Sequence, residues 1–138
     1  MSAAVSRKVF INLPVGDLGR SIGFFTQLGF EFDPRFTDES ATCMIISEEA
    51  FVMLLVRDRF KDFTKKEVCD ATTHTEAILA LSAESREQVD ELVNKALAAG
   101  GQPANDPMDH GFMYGWSFQD PDGHLWEVLF MDPSAPQQ

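Results

Sequence analysis

One order of elements occurs twice along the 138 residues, and nothing else in the sequence constrains the fold as strongly. In the first half, the apolar run Val9-Phe10-Ile11-Asn12-Leu13, closed by Pro14, predicts a strand. Asp17 then offers a helix cap, and Leu18, Ile22, Phe25 and Leu28 recur on one helical face. Gly29 supplies the stop. Phe30-Glu31-Phe32 resumes a strand-like alternation, and the apolar residues 42–46 and 51–56 flank the polar turn Ser47-Glu48-Glu49-Ala50 as a hairpin. In the second half, Ala77-Ile78-Leu79-Ala80-Leu81 predicts a strand, and Ser85 with Gln88 forms a capping-box signature. Val89, Leu92, Val93, Ala96 and Leu97 then keep the spacing of an amphipathic helix, which Gly100-Gly101 ends. Tyr114-Gly115-Trp116-Ser117-Phe118 and residues 125–130 flank the turn sequence Asp120-Pro121-Asp122-Gly123.

The repeat implies an α+β fold of two βαβββ modules, with Val15 corresponding to Ser82 and Met53 to Glu127. Neither module is long enough to cover its own sheet well. The expectation is therefore that they pair around a shared concavity, as a cupped mixed sheet with helices outside. The chain reads as a single domain over residues 1–138, with module 1 at about 7–57, a linker at about 58–73 and module 2 at about 74–132. Around that linker stand five of the eleven basic residues, Arg57, Arg59, Lys61, Lys65 and Lys66, interrupted by Phe60 and Phe63. Two readings fit: a solvated connector, or a lid presenting cations to an acidic ligand.

Charge and motif content exclude several functions. A duplex-binding protein needs a basic face to displace counterions, and the formal net charge of −11 repels phosphates on average and disfavours anionic membranes likewise. No apolar run approaches the roughly 20 residues that span a bilayer. Residues 1–8 lack a charged segment followed by an apolar one, so no secretory signal is expected and the cytoplasm is the expected compartment. Cys43 and Cys69 are too few for a disulfide framework, and neither sits in a Cys-x-x-Cys pair. Phosphate-cradling glycine loops, dinucleotide fingerprints and a Gly-x-Ser-x-Gly elbow are all missing.

Two stretches carry a resemblance. Leu13-Pro14-Val15-Gly16-Asp17-Leu18-Gly19-Arg20-Ser21-Ile22-Gly23-Phe24-Phe25 resembles the first strand-to-helix signature of the vicinal-oxygen-chelate superfamily. This group includes glyoxalase I, extradiol dioxygenases, and fosfomycin- and bleomycin-resistance proteins. Asp120-Pro121-Asp122-Gly123-His124-Leu125-Trp126-Glu127 resembles its closing hairpin. In metal-dependent members, four side chains converge from four strands. Carried over by motif spacing, those positions are Phe10, Met53, Ile78 and Glu127. Phe and Ile have no lone pair, and a thioether is a soft ligand, so Glu127 alone is a credible donor and no metal cofactor is expected. A divalent metal would need a shifted set, such as Glu127 with His110 and Glu76.

The lining of such a concavity then decides the function. Phe10, Met53 and Ile78 bring apolar surface, Asn12 shares the Phe10 face, and Glu127 brings one charge. Tyr114 and Trp116 share one face of their strand and are expected on the ligand side, while His110 is expected to hydrogen-bond ligand from its loop. The chain most resembles the uncharacterised glyoxalase-like branch. The resemblance implies a metal-independent small-molecule-binding protein, forming a homodimer as members of the superfamily commonly do. The alternative is a glyoxalase-like lyase, isomerase or dioxygenase, with a displaced metal or with Glu127 as general base.

Overall fold

The computed structural model describes residues 6–134. They divide into two compact units between Val68 and Cys69, inside the segment expected to link the modules.

Module 1 opens with β1 (Val9–Val15), which continues through Pro14 instead of ending there. The continuation is possible because β1 stands at the end of its sheet's strand order, where a residue lacking an N–H is tolerated. Helix α1 (Leu18–Gln27) begins where Asp17 accepts a hydrogen bond from Arg20 N, and the chain leaves it at Gly29, whose φ of 99° suits glycine. Strands β2 (Glu31–Asp33), β3 (Ala41–Ile45) and β4 (Ala50–Val56) complete a mixed sheet in the order β1-β4-β3-β2. β1 runs parallel to β4, with Phe10 opposite Phe51 and Asn12 opposite Met53. One sheet face carries Leu13, Val15, Thr42, Met44, Val52 and Leu54, all buried, as are Phe24 and Phe25 of α1. Each such apolar side chain contributes about 1.5–3 kcal/mol, which leaves the opposite face of the sheet free for other roles.

The segment that follows carries no legible period in sequence, yet residues Arg57–Phe60 form a short helix, α2, and Lys61–Phe63 a 3-10 turn. A single turn is too short to display a repeat. Arg59 pairs with Asp62 at 2.9 Å and lies 4.9 Å over the Phe63 ring, so this cation is already engaged locally.

Module 2 repeats the plan. β5 (Ile78–Ala83) leads to α3 (Arg86–Ala98), capped by Ser85, which accepts from Gln88 N. The Gln88 side chain returns the bond, Oε1 accepting from Glu84 N at 2.8 Å. Two short strands, β6 (Gln102–Pro103) and β7 (Met108–Asp109), precede β8 (Met113–Gln119) and β9 (Leu125–Met131). The order β5-β9-β8-β6, with β7 also on β8, parallels module 1, β5 and β9 running parallel as β1 and β4 do. Beneath α3 lie Leu79, Phe118, Trp126 and Val128 with Val89, Val93 and Ala96, all buried. The Phe118 and Trp126 rings are parallel at 6.4 Å.

The turn between β8 and β9 is held by Asp120, a buried carboxylate. Its Oδ1 accepts from Asp122 N and His124 N, and its Oδ2 from Trp126 Nε1 at 3.0 Å. These bonds fix the hairpin register, and that register places Glu127 opposite Ser117.

Candidate functional site

The candidate site begins from the sheet faces that the helices do not cover. In module 1, alternation puts Phe10 and Asn12 of β1 on that face, with Phe51 and Met53 of β4. Phe10 is 53% exposed, and its ring stacks on Phe51 with centroids 5.0 Å apart and planes 13° apart. Lys8 Nζ lies 5.5 Å from the Phe51 ring centre. Asn12 turns its Nδ2 back to the Phe10 carbonyl at 3.2 Å, so its Oδ1 is the group left to present.

Continuing across this sheet, Met53 is opposite Cys43 and Cys43 is opposite Asp33. Burial pushes the Cys43 thiol up, which keeps it protonated. The Arg35 side chain bonds Asp33 through two nitrogens, at 3.1 and 2.8 Å, and holds its carboxyl below the usual range. The row Asn12-Met53-Cys43-Asp33 thus runs from an amide through two sulfur-bearing side chains to an ion pair. Sequence reasoning missed its last two members on this face. The Asp33-Pro34-Arg35 spacing was the available signal.

Module 2 presents the matching row. Glu127 is half-buried on the central strand β9, between Ala80 of β5 and Ser117 of β8. Ser117 Oγ accepts from Asn105 N at 2.9 Å and donates to Asn105 O at 3.4 Å. Ile78, 57% exposed, is opposite Leu125, two residues before Glu127 on the same face. In module 1 Phe10 stands in the same relation to Met53, so Met53 matches Glu127 as the sequence suggested, while Val15, opposite Val56, matches Ala83, opposite Phe130, and not Ser82. Within each module the two positions are diagonal neighbours on one face.

Two sequence expectations are corrected, and one alternative is answered. Tyr114 and Trp116 do not share the Glu127 face: Ser117 is opposite Glu127, so strand alternation turns its even-numbered neighbours the other way. The Tyr114 hydroxyl donates to Asp90 Oδ1 of α3 at 2.6 Å, and this bond with burial raises its pKa to about 12. The two aromatics belong to the packing between sheet and helix.

Second, His110 does not approach Glu127. Its N–H donates to Met113 O at 2.8 Å, and Met113 is opposite Met131, four residues beyond Glu127, about 13 Å along the strand. Arg86 fastens this loop, donating to Asp109 Oδ2 at 2.7 Å and Gly111 O at 2.9 Å.

Third, Glu76 precedes β5 at the opposite end of the sheet, so the shifted set of Glu127, His110 and Glu76 does not converge. Among the described residues, no three His, Cys, Asp or Glu side chains are grouped to hold a metal ion. No helix among them is long and apolar enough to cross a membrane.

Residues 8–128 match the Glyoxalase/Bleomycin resistance protein/Dioxygenase superfamily. Among solved structures, the hypothetical protein SA1046 of S. aureus is 29% identical, with a TM-score of 0.77 over 92% of this chain and 95% of that one. A glyoxalase-related enzyme from Fulvimarina pelagi is 22% identical, with a TM-score of 0.76 over 91% of this chain and 88% of its own. The fosfomycin resistance protein FosX from Listeria monocytogenes is 20% identical, with a TM-score of 0.62 over 94% of each chain. The last two likenesses concern the fold alone. No curated protein matches the chain in sequence. With the repeat, the strand registers and the family match in agreement, the chain belongs to the glyoxalase/bleomycin resistance protein/dioxygenase superfamily, the vicinal-oxygen-chelate group.

Proposed function

We propose that this protein is a metal-independent, small-molecule-binding member of its superfamily. The observation that carries the reading is the chemistry of the four positions matched to metal ligands elsewhere in the family. Phe10, Met53 and Ile78 offer no hard donor, and Glu127 offers one carboxylate. A single carboxylate does not retain Zn²⁺, Mn²⁺ or Fe²⁺ against water. What remains is a binding chemistry. In module 2, Glu127 is a half-buried carboxylate on the central strand that a cation would complement. A small organic cation is therefore the ligand class favoured, in a protein whose overall charge of −11 also draws cations. The protein is further proposed to act in the cytoplasm, and as a homodimer.

A planar aromatic cation such as acriflavine is the probe, titrated by calorimetry. Saturable binding is expected, weakened about tenfold or more in Glu127→Gln, because a hydrogen bond to a charged group contributes about 1.5–3 kcal/mol. Absence of saturation, or an affinity unchanged in Glu127→Gln, contradicts the proposal.

The enzyme reading has one precedent in its favour, since a structure of FosX contains Mn(II) and 1S,2S-dihydroxypropylphosphonic acid. In that reading the chain is a glyoxalase-like lyase, isomerase or dioxygenase, with a displaced metal or with Glu127 as base. Stoichiometric metal in the purified protein would favour it.

A further inference from the structure

We infer that a groove at the turn end of β8 and β9 in module 2 binds a neutral, hydroxyl-bearing small molecule the size of a monosaccharide or cyclic polyol. The groove has a volume of about 290 Å³ and is lined by residues of module 2 alone. This inference stands apart from the metal-free reading of the previous section. Leu125 and Gln119, paired in register, form its floor, and residues 71–75 and 103–105 form its walls.

The wall at 71–75 is built before any ligand arrives. Asp70 organises it, its Oδ1 accepting from Thr72 N at 3.0 Å and its carbonyl from His74 N at 2.9 Å. The wall rests directly on the hairpin turn. A Cβ added at Gly123, whose φ is +90°, would lie 2.8 Å from Ala71 O, so the two backbones approach as only glycine permits.

The polar groups facing this space have a definite character. Thr73 Oγ1 donates to Asp70 O at 3.3 Å and lies 2.8 Å from His74 Nδ1. This contact engages Nδ1, and Nε2 is the ring nitrogen left to meet a ligand. Gln119 donates Nε2 to Pro103 O at 3.0 Å, which leaves its Oε1 as an acceptor. Asn105 makes both of its bonds to Ser117 through main-chain atoms, so its side-chain amide is uncommitted. The lining contains no Lys, Arg, Asp or Glu.

An imidazole nitrogen, the Gln119 acceptor and a free amide, each able to bond a hydroxyl, suit an uncharged ligand bearing several O–H groups. Leu125 and Pro103 add apolar surface for its C–H face. No Lys, Arg, Asp or Glu is present to balance an ion.

The test uses myo-inositol as the probe, with inorganic phosphate as the charged comparison, followed by amide chemical shifts of the full chain. Inositol should give saturable shifts at residues 72–75 and at the Asn105 and Gln119 side-chain amides, with millimolar affinity as befits about twelve heavy atoms. His74→Phe and Asn105→Leu should each weaken it about fivefold to tenfold, the loss of one hydrogen bond. Both side chains are exposed, and unchanged shifts elsewhere will confirm that the variants keep the fold. Three results would each overturn the inference: no saturable shift, an inositol affinity unchanged in both variants, or tighter binding of phosphate at the same amides.

Discussion

Replacing Asp120 tests how the hairpin that carries Glu127 is held. The carboxylate is 2% exposed and accepts three N–H groups, of which His124 N and Trp126 Nε1 are buried. Asp120→Ala removes their acceptor and leaves the buried donors facing a void. Each orphaned buried donor costs about 1–3 kcal/mol, so the loss should reach about 3–5 kcal/mol. Relief of the carboxylate's own desolvation offsets part of it. Asp120→Asn keeps an oxygen for the turn amides but sets an N–H donor against Trp126 Nε1, and should cost about 1–2 kcal/mol. Urea unfolding followed by tryptophan fluorescence measures both.

The pH dependence carries a sign of its own. Burial pushes the Asp120 carboxyl up, while the His124 charge and the N–H donors pull against it, with burial prevailing. The folded protein therefore holds this proton more tightly than the unfolded chain. The group's contribution is fully present below the ordinary value of 3.8, and is lost as pH rises through the folded value. Asp120→Asn should remove that slope. An Ala variant that loses less than about 1 kcal/mol would refute the assignment of Asp120 as the hairpin's anchor.

Gly123→Ala should destabilise by more than about 1 kcal/mol in the same urea assay, since it combines a positive φ with a Cβ against the main chain of residues 71 and 72. The chain has one tyrosine, so a spectrophotometric titration reads Tyr114 alone: the phenol should ionise near 12, and Asp90→Asn should bring it back toward 10. A midpoint already near 10 in the unmodified protein would mean that the bond to Asp90 does not form in solution.

The parts of the fold visible in sequence are those with a local cause. Asp17 and Ser85 cap helices because their side chains accept from the amides three residues on, and the Leu18–Leu28 and Val89–Leu97 spacings record which helical face is buried. The turn Asp120-Pro121-Asp122-Gly123 was equally readable. What escaped depends on partners distant in sequence. Pro14 ends a strand in isolation but is accommodated at a sheet edge, and edge position is a property of the sheet. Tyr114 and Trp116 were rightly placed on one face of their strand. Which face it was could be decided only by pairing Ser117 with Glu127. Phe10, Met53, Ile78 and Glu127 were located by motif spacing, and the registers relate them in pairs within each module. The polar groove was invisible, because residues 71–75, 103–105 and 119–125 meet only when the hairpin closes.

The central claim is that Glu127 works without a metal, and metal content measures it most directly. Protein purified without chelator should contain well under one equivalent of zinc, manganese, iron or nickel by elemental analysis. Added Zn²⁺, Ni²⁺ or Mn²⁺ should leave its melting temperature nearly unchanged, since a native-state ligand stabilises by RT ln(1 + [L]/Kd). One equivalent of bound metal, lost in Glu127→Gln, would contradict the account.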